Sequence, residues 1–216
     1  MATLRPREGH DAEKRRDAIE RLAAATRALG DAVATTAVDV ASLDEMTDTI
    51  EAVTRRLAAE IEDDAYSGVL LLPVDQSKPE TLMPLNPIVG RCSPVRPDVE
   101  LRCVDGEVRG SASFTRRFVG PPGHAHGGIS AMLADQLVSV APMAIGVHTV
   151  TKSLELRYVR ALPLDEPVEL WAVCESDDNG YRARFTVSAR GDVAVEGSGD
   201  LVPFRDFAAR ADVHRG

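Results

Sequence analysis

The stretch that decides the fold runs from Gly120 to Ala141 and reads GPPGHAHGGISAMLADQLVSVA. Its first nine residues are rich in glycine and proline, which predicts a stiff turn leading into a helix. From Gly127 onward most helical positions are apolar on every side, until Pro142 stops the helix. Because a helix that is apolar nearly all round is buried on most sides, this segment predicts one central core helix over 127–141.

The segments around this helix predict strands. Apolar and polar positions alternate over 108–118, 149–160, 168–174, 181–189 and roughly 193–203, the period of a half-buried strand. The run Asp177-Asp178-Asn179-Gly180 predicts a tight hairpin turn, because Asn-Gly accepts the positive φ angles that such a turn requires. A second turn is expected at 190–192. The pattern predicts an α+β fold in which an antiparallel sheet wraps around the central buried helix.

Asp135 is the residue that does not fit this helix. A carboxylate in an apolar environment costs several kcal/mol unless it is paired or faces a cavity. The alternative is that Ser130, Asp135 and Gln136 mark a narrow solvated edge of the helix. Periodicity alone leaves both interpretations open.

Gly127 and Gly128 stand where the predicted helix begins. The first N–H groups of a helix have no intrahelical partner, and the helix dipole is positive there. Since glycine has no side chain, a ligand carbonyl could approach these N–H groups closely and be polarised by them. Ordinary turn chemistry also explains a glycine pair, but together with Asp135 the pair indicates a site.

The composition is that of an acidic folded protein. Of the 216 residues 44% are apolar and 27% are charged, the usual proportions of a globular chain. A formal net charge of −9 argues against nucleic-acid binding. The three cysteines lack metal-ligand spacing, and the sequence has neither a secretory signal nor a long apolar run. We therefore expect a cytoplasmic protein with reduced thiols and with no membrane span, metal or cofactor.

The N-terminal third predicts two helices. The first covers 11–30, with Ile19, Leu22, Ala25 and Leu29 at helical spacing and Gly30 placed to end it. Ser42 and Glu45 form a capping box for the second. One apolar stripe then follows at steps of three or four: Leu43, Met46, Ile50, Val53, Leu57 and Ile61. It is either a coiled-coil arm for a partner or one half of a helical hairpin packed on its own domain, and we favour the hairpin because the stripe is short.

Two motifs together resemble a known family. Gly120-Pro-Pro-Gly is followed by His126-Gly127-Gly128 and, nine residues after the histidine, by Asp135. The run from Thr151 to Leu164, TKSLELRYVRALPL, resembles the strand that follows the helix in that family. Both are similar to the hotdog-fold acyl-CoA thioesterases, most closely the PaaI-like group and the thioesterase-superfamily-member proteins. The resemblance covers roughly residues 85–204.

The resemblance implies a domain organisation. We expect an N-terminal helical extension (1–66), a Pro-rich extended connector (67–99), a hotdog domain (100–204) and a C-terminal tail (205–216). The segment VLLLPV (69–74) within the connector reads either as a short buried strand or as an apolar patch that a partner covers. Residues 1–66 carry 15 acidic against nine basic residues, whereas 101–216 carry 15 against 13. The expected catalytic domain is thus nearly neutral and can accept an anionic coenzyme.

The resemblance also implies residue roles. The protein would form a homodimer, or a tetramer built from two such dimers, with active sites at the subunit interface and acyl-CoA as substrate. Asp135 would be the catalytic carboxylate, acting as nucleophile or general base, and the Gly127 N–H would polarise the thioester carbonyl. Thr151 would help to hold the water or the carboxylate. The substrate-binding positions implied are three: His126, Gly128 and His124.

One departure and one alternative remain. Many relatives carry an asparagine six residues before the motif histidine, where this chain has Gly120, which puts the details of carbonyl binding in question. Arginines on the expected strands, such as Arg157 and Arg182, read as a solvated face and are not assigned to the coenzyme phosphates. The alternative function is a non-catalytic hotdog module that binds an acyl-thioester or a protein partner. A hotdog dehydratase or hydratase fits the motifs less well.

Overall fold

The computed structural model describes residues 10–61, 66, 69, 75, 77–177 and 180–204. Its helices are α1 (His10–Val33), α2 (Val40–Ala58), α3 (Pro79–Leu82) and α4 (Gly127–Val140). Its strands are β1 (Asp98–Val104), β2 (Glu107–Ser113), β3 (Thr149–Tyr158), β4 (Pro167–Asp177), β5 (Gly180–Ala189) and β6 (Asp192–Pro203). Short 3-10 turns at Arg116–Phe118 and Ala141–Ile145 lie before and after α4.

The six strands form one antiparallel sheet in the order β1-β2-β4-β5-β6-β3. β1 and β3 are therefore the edge strands. α4 packs against β3, β4, β5 and β6, and Leu133, Leu137 and Val138 on α4 are fully buried. This confirms the predicted sheet wrapped around a central helix.

α4 has the predicted length. It ends at Val140, and Pro142 lies in the 3-10 turn that follows. Within the described part of the chain, Gly127–Ile145 is the one stretch that is long and apolar enough to cross a membrane. Most of that stretch is buried inside the domain, so its apolar character is that of a core helix.

The hairpin predictions are confirmed by the strand register. β4 and β5 remain paired to their ends, where Asp177 lies opposite Gly180; the two turn residues between them lie outside the described residues. At the next turn Arg190 and Gly191 have φ values of 55° and 82°. Two successive left-handed residues are the geometry of a type I′ hairpin turn.

The strand predicted over 108–118 is too long. β2 ends at Ser113, and Arg116–Phe118 form a 3-10 turn. Phe114 is fully buried, and its ring meets the Phe118 ring edge to face, with 6.1 Å between centroids. The apolar spacing of these two phenylalanines thus reflects a shared packing site and not continued strand alternation.

α1 extends beyond its predicted end and docks through an unexpected face. It continues to Val33, so Gly30 does not end it; Gly30 lies where α1 passes close to the Arg117 side chain. The buried face consists of Ala12, Arg16 and Ala23. Along the same side of the helix, the Arg27 guanidinium donates to the Ser93 carbonyl at 2.7 Å, and Asp31 accepts a hydrogen bond from the Thr115 hydroxyl. Polar bonds at its C-terminal half, rather than the predicted apolar stripe, hold α1 on the domain.

Asp31→Ala is expected to loosen this docking. The substitution removes the acceptor of the Thr115 hydroxyl and the ion-pair partner of Arg117, whose Nε lies 3.1 Å from the Asp31 carboxylate. A hydrogen bond to a charged group contributes about 1.5–3 kcal/mol, so the free energy of unfolding in urea should fall by about 2 kcal/mol. Asp44→Ala, on the exposed α2, is the control and should change it by less than about 0.5 kcal/mol. Equal effects would show that Asp31 does not anchor α1.

The predicted capping box of α2 is wrong. The cap is Asp39, whose carboxylate accepts the Ser42 N–H at 3.1 Å and the Ser42 hydroxyl at 2.9 Å. These bonds lower the pKa of the Asp39 carboxyl. Ser42 itself lies inside the first turn. An ionised carboxylate is a stronger acceptor than a hydroxyl for the N–H groups of a helix start, which explains why the helix begins earlier.

α2 is not packed on its own domain, contrary to the interpretation we favoured. None of its residues is buried. The stripe side chains are between 39% and 81% exposed: Leu43, Met46, Ile50, Val53, Leu57 and Ile61. Leu22 and Leu29 on α1 are also exposed. The extension thus presents apolar surface that the described residues of this chain leave uncovered.

The connector is part of the domain from Ser77 onward. It contains α3, and Ile88 and Val89 lie in the core. The Asn86 amide accepts the N–H groups of both residues and donates to the buried Gln136 side chain on α4 at 2.7 Å. Proline therefore shapes a packed loop here and not a free linker. Apart from Val69, which is buried, the segment VLLLPV lies outside the described residues, as does the tail 205–216.

Candidate active site

The loop before α4 is a closed turn. The Gly120 N–H donates to the His124 carbonyl at 2.9 Å, and the His126 N–H donates to the Phe118 carbonyl at 2.8 Å. A Cβ at position 120 would lie 2.7 Å from the His126 Cα, a distance that real side chains do not adopt. The glycine at this position, where many relatives carry asparagine, is thus required by the way this loop folds back on itself.

His126 caps α4. Its backbone is extended, and its Nδ1 accepts the Gly128 N–H at 2.9 Å. The neutral ring therefore carries its proton on Nε2. Within the described residues the Gly127 N–H meets no acceptor, as expected for the first residue of a helix. The histidine takes up one N–H of the helix start and leaves the neighbouring N–H available.

Tyr158 is a site residue that the sequence analysis missed. Its hydroxyl donates to the Gly127 carbonyl at 2.9 Å. Its ring lies against Gly127, 3.6 Å from where a Cβ would stand. Tyr158 is the last residue of β3, so the helix start is fixed to the end of an edge strand. The available signal was its place in the run from Thr151 to Leu164, which the sequence analysis used for the family resemblance without giving Tyr158 a role at the site.

Asp135 lies on an exposed face of α4, together with Gly128 and Met132. These residues are spaced by four and three positions and so share one side of the helix. Within the described part of the chain, the Asp135 carboxylate has no hydrogen bond or ion pair. The solvated-edge interpretation is therefore right for Asp135 but wrong for Ser130 and Gln136, which are both buried. No ion pair within the described residues accounts for the carboxylate.

The remaining predicted residues lie apart from one another. Thr151 is half-buried on β3, opposite Leu201 of β6, and no hydrogen bond joins it to Asp135 in the described chain. His124 is exposed and bonds through Nδ1 to the Pro122 carbonyl at 2.9 Å. It lines a cavity of about 340 Å³ between the loop and the ends of β5 and β6.

His126 and Gly128 line a different cavity, of about 420 Å³. Its walls are mainly apolar: Pro87, Val95, Phe118, Val119, Ile129 and Met132, with Arg117 beside them. The Arg117 guanidinium is held over the Phe118 ring, 4.6 Å from its centroid, and donates to the Arg96 carbonyl. The structure thus places the motif histidine and the helix start beside an apolar cavity, whereas His124 faces elsewhere.

The exposed arginines of the sheet are engaged with neighbouring carboxylates. Arg157 pairs with Glu196, and Arg182 lies 2.9 Å from Asp200. This supports their interpretation as a solvated face. Among the described residues, no three His, Cys, Asp or Glu side chains are grouped so that they could hold a metal ion.

Comparison with known proteins identifies the domain. Residues 122–176 match the profile of the thioesterase superfamily. A crystal structure of a thioesterase superfamily protein aligns with a TM-score of 0.71 at 28% identity, over 85% of this chain and 94% of that chain. The shared part is longer than residues 67–216, so it includes part of the N-terminal extension.

Other solved structures align over about half of this chain. A hypothetical thioesterase of Streptococcus pneumoniae, solved with coenzyme A, is 19% identical over 50% of this chain and 89% of that chain, with a TM-score of 0.46. A mutant of the phenylacetic acid degradation protein PaaI of Thermus thermophilus is 24% identical over 48% and 91%, with a TM-score of 0.44. No curated protein matches the sequence. The profile match and the long structural alignment support membership of the thioesterase superfamily, and the observed sheet and central helix are those of a hotdog fold.

Proposed function

We propose that the protein hydrolyses acyl-CoA thioesters to a free acid and CoA. The observation that carries the proposal is the start of α4, where an unpaired Gly127 N–H is followed along one open helix face by the unpaired carboxylate of Asp135. The N–H is suited to polarise a thioester carbonyl, and the carboxylate is suited to attack it or to activate water. The nearly neutral charge of the domain is compatible with an anionic coenzyme.

The spacing of these two groups argues for a site built from two chains. Gly127 and Asp135 are eight residues apart on α4, which is about 12 Å along the helix axis. A carbonyl held by the Gly127 N–H is therefore out of reach of the Asp135 carboxylate of the same chain, because reacting groups must come within about 3–3.5 Å. We infer a homodimer in which Gly127 of one copy and Asp135 of the other face the same thioester. The unpaired outer edge of β3 offers a surface for such a pairing.

The proposed reaction follows from these positions. The Gly127 N–H holds the carbonyl oxygen while Asp135 takes a proton from water, and the water oxygen attacks the carbonyl carbon. The tetrahedral intermediate then collapses, the carbon–sulfur bond breaks, and the thiolate of CoA takes up a proton. In the alternative, the Asp135 carboxylate attacks the carbonyl carbon directly, the carbon–sulfur bond breaks and the CoA thiolate leaves. Water then hydrolyses the resulting mixed anhydride and releases the acid. Thr151 would orient the water or the carboxylate in either case, and His126 holds the loop rather than transferring a proton.

The acyl group would occupy the apolar cavity beside His126 and Gly128. A volume of about 420 Å³ suits a short or medium chain or a single aromatic ring. His124 lines the other cavity together with Arg160 and Arg190, and its contact with substrate remains a prediction.

Met132→Trp is expected to shorten the accepted acyl chain. Met132 lines the apolar cavity and is partly exposed, so a larger side chain takes up space without entering the core. We expect kcat/KM for the longest accepted acyl-CoA to fall about tenfold, the scale of one or two lost methylene contacts, while acetyl-CoA turnover changes less than about threefold. Ile145→Trp, at the far end of the helical segment, is the control. A uniform loss for all chain lengths would contradict the placement of the acyl group.

The function itself is tested by a thiol-release screen of the full chain with short, medium, long and aromatic acyl-CoAs. Release of free CoA from at least one of them is the expected result. Titration calorimetry with a non-hydrolysable acyl-CoA accompanies the screen. Binding without thiol release from any substrate would replace the hydrolase with the non-catalytic acyl-thioester module.

A further inference from the structure

The apolar stripe on α2 has the geometry of a helix-pairing seam. Leu43, Met46, Ile50, Val53 and Leu57 follow one another at alternating steps of three and four residues. Such a repeat places every member on one narrow line facing a second helix. All five are at least 39% exposed, although α2 is a well-formed helix with an Asp39 cap. A seam with this spacing needs a cover, and the described residues of the single chain do not supply one.

The residues beside the seam are ready to be covered. Thr47, Thr49 and Thr54 flank it, and their hydroxyls already donate to carbonyls four residues earlier in the same helix, at 2.8–3.1 Å. A partner can therefore cover these threonines without leaving an unpaired hydroxyl, which would otherwise cost about 1–3 kcal/mol. The charged residues of α2 lie mostly outside this strip.

α1 of the same chain does not supply the cover. It is held on the domain by Arg27 and Asp31, and an open groove of about 1030 Å³ separates it from the C-terminal half of α2. This groove is lined by Ile19 of α1, by Val53 and Leu57 of α2, and by Ile61 just beyond the end of α2. The groove is wide enough to admit side chains from another helix.

The distribution of charged residues along α2 indicates which partner helix fits the seam. Its first half carries acidic residues only: Asp44, Glu45, Asp48 and Glu51. Its second half carries Arg55 and Arg56. Two copies of α2 running in opposite directions place each acidic half beside a basic half, whereas two copies running in the same direction place like charges together. Opposite charges favour pairing, and like charges in register disfavour it.

We propose that α2 docks antiparallel on α2 of a second copy of this chain. Two antiparallel registers join four seam residues of each copy, but one of them sets Glu45 level with Glu51. The other sets Asp48 level with Arg55, and it places Met46 of one copy opposite Leu57 of the other and Ile50 opposite Val53. The pairing covers the apolar side chains of the seam, which are otherwise 39% to 54% exposed. This interface does not involve α4 or β3, so it is independent of the proposed hydrolysis.

Disulfide trapping in the full chain tests the pairing. Met46→Cys and Leu57→Cys are made separately, mixed in equal amounts and oxidised mildly at pH 8. The antiparallel arrangement predicts that the mixture forms a cross-linked dimer, whereas each variant alone does not, because identical positions lie about 16 Å apart. Burial raises the pKa of the native Cys92 and Cys174 thiols to about 11 and also raises that of Cys103, so the wild-type background should be low.

Two controls make the result decisive. Ala52→Cys, on the outward side of α2, mixed with Leu57→Cys should give no dimer above the wild-type level. Adding Ile50→Glu to both cysteine variants should abolish the cross-link, while adding Ala52→Glu should leave its yield unchanged; circular dichroism verifies that each variant is folded. Cross-linking of either single variant with itself would overturn the antiparallel arrangement. Absence of a cross-link in the mixture would overturn pairing between copies altogether.

Discussion

Asp135→Asn is expected to lower kcat for a good acyl-CoA substrate at least a hundredfold, about the contribution of one general base. Asparagine keeps the size of the side chain but can neither take a proton from water nor attack a thioester efficiently. Asp135 is exposed on α4 and has no hydrogen bond or ion pair in the described chain. The free energy of unfolding should therefore change by less than about 0.5 kcal/mol. The rate of CoA thiol release gives kcat, and urea denaturation gives the free energy of unfolding.

A matched control separates this effect from the loss of any carboxylate. Asp105 lies in the turn between β1 and β2, with a φ of 51°, and asparagine tolerates that left-handed conformation. Asp105→Asn therefore removes one negative charge with little strain and should leave kcat unchanged. Full activity of Asp135→Asn, or an equal loss in both variants, would remove Asp135 from the mechanism.

The fold was predictable because its signals are local and agree with one another. A helix that is apolar all round, from Gly127 to Val140, must be enclosed, and short alternating strands joined by tight two-residue connections can enclose it only as an antiparallel sheet. The errors arose where two local signals compete. Asp39 and Ser42 both fit a helix cap, and the choice depends on which acceptor binds the free N–H groups more strongly.

Long-range contacts account for what the sequence analysis missed. Asn86 and Gln136 are 50 residues apart, so nothing in either segment predicts that the amides will bind each other and draw the connector into the core. Tyr158 was read as part of a strand, and its bond to the Gly127 carbonyl depends on where α4 meets the end of β3. An amphipathic pattern likewise predicts that the α2 stripe needs a partner, but it does not identify which surface provides it.

The candidate site was predictable as a set of residues but not as an arrangement. The motif residues His126, Gly127 and Asp135 were found from their spacing, and a helix with that spacing separates the last two by about 12 Å. Only the open face on which Asp135 lies, with Gly128 and Met132 beside it, shows that the carboxylate is available to another chain. The two-chain site that we propose rests on this geometry, and it agrees with the interface site that the family resemblance implied.

Gly127→Pro is expected to lower kcat by about a hundredfold to a thousandfold, the effect of removing one donor to a developing oxyanion. Proline has no N–H, yet it is well tolerated at the first position of a helix. The preceding residue, His126, already has an extended backbone with a φ of −64° and a ψ of 136°, the conformation that proline requires of its predecessor. The substitution should therefore delete the proposed carbonyl donor while α4 and its cap remain folded.

Gly127→Ala is the matched control, because it keeps the N–H and its Cβ meets the Tyr158 ring at an ordinary 3.6 Å. Alanine should retain most of the activity, and equal losses in the two variants would assign the effect to shape rather than to the N–H.

Mixing the two inactive variants, Asp135→Asn and Gly127→Pro, then tests whether the site is shared between two chains. In a dimer of one Asp135→Asn chain and one Gly127→Pro chain, one site joins the intact Gly127 N–H of the first to the intact Asp135 of the second. Co-refolding the two inactive variants should thus restore up to about a quarter of wild-type turnover, since half the dimers are mixed and each has one complete site. If the mixture recovers no activity, Gly127 and Asp135 do not act from two different chains. Since the two groups of one chain are too far apart to act on the same carbonyl, the proposed mechanism would then have no site.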